Sequence, residues 1–163
     1  MIFLAVGTQK FQFNRLLSIV DSLIASGDIN EEVFAQTGHS DYIPQNYGFK
    51  DFLSKDEFET YVKKCDLLIA HSGVATIITG LKFDRPVIVV PRLAKFGEHV
   101  DDHQLEIAKS FAAKNFILMC EDSDNLNSLI DEARVHVFDK YISRREKMID
   151  TIREYIHSIQ KDG

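Results

Sequence analysis

The stretch DLLIAHSGVAT (residues 66–76) decides the fold. Its first half is a short apolar run without polar alternation, the pattern of a strand buried on both faces. A glycine turn follows, and residues 74–83 suit a helix that Asp84 and Pro86 break. The same unit recurs on both sides. Upstream, residues 2–6 form an apolar run ending at Gly7. Behind it Leu16, Leu17, Ile19, Val20, Leu23 and Ile24 fall at helical spacing, with Asn14 as the expected cap and Gly27 as the stop. Residues 32–37 predict a strand closed by Gly38, residues 47–52 a weaker one, and Ser54 with Glu57 a capping box opening a helix to about Lys64. Downstream, residues 86–90 (PVIVV) are the most apolar strand. A helix over 100–113, a strand over 116–120 and a helix over 125–135 follow, then a long amphipathic helix over about 138–160. Apolar strands alternating with helices predict an α/β fold, a doubly wound, Rossmann-like parallel sheet in one domain spanning 1–163.

Composition agrees. A chain of 163 residues with 45% hydrophobic and 27% charged residues is long enough for one core and is not disordered. Its net charge of −6 argues against a nucleic-acid binder, which needs a basic face. No apolar run approaches the roughly 20 residues of a spanning helix, and MIFLAVG lacks the basic start of a secretory signal. Cys65 and Cys120 have no CxxC partner and are expected to be buried thiols of a cytoplasmic protein. Charge is uneven, since residues 140–161 carry +3 and the remainder −9.

In a doubly wound sheet ligands sit at the carboxyl ends of the strands, which places three loops there: 7–13, 71–76 and 91–104. In the second, Gly73 lets the backbone approach a ligand, and the amides of Val74, Ala75 and Thr76 are donors at a helix N-terminus. That suits a phosphate or diphosphate, although a plain strand-to-helix turn capped by Ser72 fits as well. The third loop, PRLAKFGEHVDDHQ, crowds donors and acceptors behind an apolar strand, as a sugar site requires. His99 and His103 stand i, i+4, but no third ligand is evident and no metal is expected. Gly7-Thr8 is a tight first turn, and His39, Asp41 and Tyr42 read as a loop, while His136 and His157 read as surface.

VGT after the first strand, the H-S-G turn after DLLIA, and PVIVVPRLAKFGEHVDDHQLEIA together resemble the glycosyltransferase family 28 C-terminal domain. More narrowly, the chain resembles short capsular-polysaccharide galactosyltransferase subunits. These are similar to the catalytic subunit of the two-part N-acetylglucosaminyltransferase of dolichol-linked glycan assembly. The resemblance implies the UDP-sugar-binding half of a GT-B enzyme. It implies a diphosphate turn at His71, Ser72, Gly73, Val74, Ala75 and Thr76 and donor contacts from Gly7, Thr8, His103 and Gln104. Arg92 and Phe96 are further donor candidates. Glu98 and His99 are in the right loop for a general base, although in GT-B enzymes the base often comes from the other half. The chain departs from the pattern at Ser72, where many relatives have glycine, and at Thr79, where many have a ribose-binding glutamate.

The expected function is transfer of a hexose, galactose by resemblance, from a UDP-sugar to a lipid-linked glycan with inversion and without a cofactor. The resemblance also implies a membrane-anchored partner subunit supplying the acceptor half, with the chain peripheral at the cytoplasmic membrane face. A homo-oligomer stays open. A non-catalytic nucleotide-sugar-binding subunit is the alternative. A UDP-sugar epimerase or hydrolase is a third reading, but those enzymes carry both halves in one chain.

Overall fold

The computed structural model describes residues 1–121 and 125–143. Six strands form one parallel sheet: β1 (Ile2–Ala5), β2 (Val33–Gln36), β3 (Gly48–Lys50), β4 (Leu67–Ala70), β5 (Val87–Val89) and β6 (Leu118–Met119). Their order is β3-β2-β1-β4-β5-β6, so the sheet reverses direction of growth between β1 and β4. Among the described residues five α-helices cover it: α1 (Asn14–Ala25), α2 (Lys55–Lys64), α3 (Val74–Lys82), α4 (His103–Ala112) and α5 (Leu126–Val135).

Both faces of the central strands are dry. Ile2 and Leu4 point into a core with Leu16, Leu17 and Val20 of α1 and Ile130 of α5. Phe3 and Ala5 point into a second core with Val62 of α2, Ile77 of α3 and Ala108 of α4. This double burial is why the strands read as continuous apolar runs rather than alternating ones. Cys65 and Cys120 are buried, one in each core.

Local chemistry sets most element ends. The Ser54–Glu57 capping box forms in both directions, and Gly27 takes φ +82 just past α1. Three boundaries differ from expectation. Phe13, not Asn14, is the N-cap of α1; the Asn14 side chain instead donates to Asp41 and accepts from the Tyr42 amide. Helix α4 begins at His103 rather than 100, because Asp101 accepts from the His103 amide and Asp102 from the Ala94 amide. Those two bonds shape a turn that a helix would have to break. Residues 138–143, expected as the start of the last helix, are not helical. Phe138 packs on one core and Tyr141 on the other. The rest of that expected helix, with His157, lies outside the described residues. Among the described residues no helix is long and apolar enough to cross a membrane.

No helix joins β2 to β3; a loop does, and Asp21 of α1 holds it. The buried carboxylate accepts from Tyr42 Oη and from the Gln45 and Asn46 amides. Burial pushes the Asp21 carboxyl up, but the bonds from Gln45, Tyr42 and Asn46 outweigh it and the net shift is downward. A depressed folded-state value means a contribution that is complete above the ordinary value of 3.8 and is lost as pH falls through the folded value. Asp21→Asn is therefore expected to lower stability at neutral pH by about 1–3 kcal/mol. It should also flatten the loss of stability on acidification below about pH 4, measured by urea denaturation across pH.

Candidate functional site

A cleft of about 620 Å³ opens at the carboxyl ends of β1 and β4, where the sheet changes direction. It brings together Gly7 and Thr8 after β1, the whole turn from His71 to Thr76, and His99, His103 and Gln104 from the β5–α4 connection. Three loops far apart in sequence thus meet on one site.

The turn is built for a close approach. Gly73 is the N-cap of α3, and no side chain caps the helix. The first helical bond runs from the Ile77 amide to the Gly73 carbonyl, so the amides of Val74, Ala75 and Thr76 have no intrahelical acceptor. Ser72, expected as the cap, does not cap: its hydroxyl is buried and has no hydrogen-bond partner among the described residues. Gly73 has φ −73, so close approach rather than backbone freedom requires glycine here. A Cβ on Gly73 would collide with Nε2 of His71, and one on Gly7 would come within 2.5 Å of the same atom. Gly7 also has φ +85, which a side chain would strain.

His71 is buried at the floor, its Nδ1 3.2 Å from the Ala5 carbonyl oxygen. Burial pushes its pKa down to about 4 against that carbonyl's opposing pull, and the Arg92 charge lowers it further. At neutral pH the ring is uncharged.

The β5–α4 connection separates residues that the sequence placed together. Arg92, expected on the donor, is only 1% exposed. Its guanidinium donates to the carbonyls of Val6, Phe11, Gln12 and Glu98. Glu98, expected as a general base, is fully buried. Its carboxylate accepts from Arg15 at 2.8 and 2.9 Å and from the Leu93 amide at 3.0 Å, so no acceptor hydroxyl reaches it. Phe96 is exposed beside the Arg15 and Lys95 cations and does not line the cleft. These three residues brace or decorate the loop.

His99 keeps its place. It lines the cleft, and its Nδ1 lies 3.0 Å from the Asp101 carboxylate, an arrangement that orients an imidazole for proton transfer through Nε2. His103 is the first residue of α4, so the pair never shares a helix face. Among the described residues no group of three His, Cys, Asp or Glu side chains is placed to hold a metal. Gln104 accepts the Arg92 amide through Oε1, leaving its NH2 group to the cleft. His39 sits against the Phe52 ring outside the cleft lining. His136, expected at the surface, is half-buried with Nε2 2.6 Å from Asn115. Sequence reasoning missed Gln36, Lys55, Phe58 and Glu59, which complete the far wall.

The glycosyltransferase family 28 C-terminal domain model matches residues 1–158. The chain belongs to this family. Human UDP-N-acetylglucosamine transferase subunit ALG13 is 28% identical over 127 residues, covering 73% of this chain; the chain spans 11% of that relative's length. Among solved structures, the glycosyltransferase of kitacinnamycin superposes with TM-score 0.63 at 16% identity, over 83% of this chain and 35% of that one. The NMR structure of ALG13 superposes with TM-score 0.56 at 17% identity, over 93% of each chain. At these identities the structures share the fold with this family 28 domain.

Proposed function

We propose that the chain is the donor-binding half of an inverting glycosyltransferase that uses a UDP-sugar. The observation that carries this reading is the α3 N-terminus: three free amides and an unpartnered buried hydroxyl face a cleft at the reversal point of the sheet. The oxygens of a diphosphate supply the acceptors that such donors lack. The acceptor hydroxyl attacks the anomeric carbon, the bond from that carbon to the diphosphate breaks, and UDP leaves with the electron pair. The amides at Val74–Thr76 take up the growing charge without a cofactor. His99, which lines the cleft and is oriented by Asp101, accepts the acceptor proton in this reading.

The acceptor in this reading is a lipid-linked glycan, presented by a membrane-anchored partner subunit that supplies the acceptor half. The chain then works at the cytoplasmic membrane face. The relative's name favours N-acetylglucosamine over galactose as the sugar. Calorimetric titration with UDP, UDP-N-acetylglucosamine, UDP-glucose and UDP-galactose tests the site and ranks the sugars. A true ligand also raises the melting temperature progressively with its concentration. Absence of binding by all four would overturn the proposal, and binding without transfer in the presence of partner and acceptor would favour the non-catalytic subunit.

Gln104→Ala is expected to weaken UDP-sugar binding by roughly 1–3 kcal/mol while changing UDP affinity little, because its free NH2 group faces the sugar end. Calorimetry with both ligands checks this, and equal losses would move Gln104 to the nucleotide.

A further inference from the structure

Resting on the reading of the cleft as a UDP-sugar site, we propose that the donor binds together with one proton, taken from solvent onto Nε2 of His71. The resulting imidazolium donates to the diphosphate. The Ala5 carbonyl can only accept, so Nδ1 of His71 must carry the hydrogen. A neutral ring then presents a bare lone pair at Nε2, and that nitrogen has no partner among the described residues. A Cβ at either Gly7 or Gly73 would run into that nitrogen, so both turns pass it as bare backbone. The space beside it adjoins the free amides of α3, which call for an anion. A diphosphate oxygen and a lone pair repel, because both are acceptors; one added proton turns the contact into a charge-assisted hydrogen bond.

The ring's low affinity for protons in the empty cleft fits this coupling, since it arises first from burial and a bound anion supplies the missing counter-charge. The surrounding groups leave His71 as the site of uptake. Arg92, behind it, is a permanent cation committed to carbonyls. Gly7 and Gly73 lie against its Nε2 and the Ala5 carbonyl against its Nδ1, and none of these groups is ionisable. His99, His103, Lys55 and Glu59 line other parts of the cleft. When UDP departs, the proton leaves with the anion that held it.

The test uses a UDP-sugar, UDP-N-acetylglucosamine first, because its diphosphate has no ionisation near neutral pH to confuse the count. Calorimetry at one pH in buffers of different ionisation enthalpy should show uptake of about one proton per ligand bound. The dissociation constant should rise about tenfold per pH unit between about pH 5.5 and 7. Nitrogen-15 spectra of the His71 ring should change from the Nδ1–H tautomer to the imidazolium on saturation. His71→Gln should bind with an affinity independent of pH; should that variant fail to fold, the wild-type ring spectra decide. Tight binding with no proton uptake and an unchanged tautomer would overturn the inference and leave the donor site intact. No binding at any pH would sink the donor site itself.

Discussion

Gly73→Val is expected to abolish UDP-sugar binding in a chain that still folds. The backbone there is extended, with φ −73 and ψ 115, so valine meets no conformational penalty. The damage is local. The new Cβ enters the space beside Nε2 of His71, so the ring must shift within the turn, away from Gly73 and against Gly7. The isopropyl group then stands where a diphosphate must approach the amides of Val74, Ala75 and Thr76. A loss of at least a hundredfold, about 2.7 kcal/mol, is expected by calorimetry. A melting temperature within a few degrees of wild type would confirm that the fold persists, and unchanged affinity in that folded variant would refute the diphosphate assignment. Gly73→Ala should give a smaller loss in the same direction.

Arg92→Met should produce the largest loss of stability of any substitution near the site, about 3–5 kcal/mol. Arg92 is the largest of the fully buried side chains. One guanidinium ties the end of β5 to Val6, Phe11 and Gln12 of the first loop and to Glu98 of its own. Methionine fills part of the volume but strands those carbonyls in a dry interior. It also leaves Glu98 with one cationic neighbour fewer. Arg92→Lys should recover little, because a single ammonium cannot fork to oxygens on separate loops. Urea denaturation gives the number directly, and a change under 1 kcal/mol would show that water replaces the guanidinium at no cost.

How much of this was legible in the sequence depends on what each residue type reveals. The α/β class was plain, because strands buried on both faces leave no polar positions in Ile2–Ala5, Leu67–Ala70 or Val87–Val89. The strand-glycine-helix turn at residues 71–76 was legible too, but its ligand was not, since a plain turn fits the same residues. Arg92 and Glu98 misled because charged residues in a loop are ordinarily exposed, and only partners from some eighty residues away, the Val6 and Phe11 carbonyls for Arg92 and the Arg15 guanidinium for Glu98, make their burial tolerable. The start of α4 was hidden for a similar reason. Asp101 and Asp102 suit a helix's first turn by charge, yet here their oxygens are spent on the His103 and Ala94 amides. The far wall of Lys55, Phe58 and Glu59 carries no local pattern, since its place in the cleft comes from packing α2 beside α3.

The strand order has a cost in time. β1 sits at the centre of the sheet, and its two neighbours are β2 and β4, with Ile2 opposite both Val33 and Leu67. During synthesis at about 5–20 residues per second, roughly 3–13 seconds separate the emergence of β1 from that of β4. Throughout that interval a fully buried segment of the finished molecule has one edge without a hydrogen-bonded neighbour. Parallel pairing over such separations is also intrinsically slow. The nascent chain therefore passes through a stage in which Ile2, Phe3 and Leu4 are open to association with other chains, and overexpression at low temperature or with a holding chaperone should raise the soluble yield.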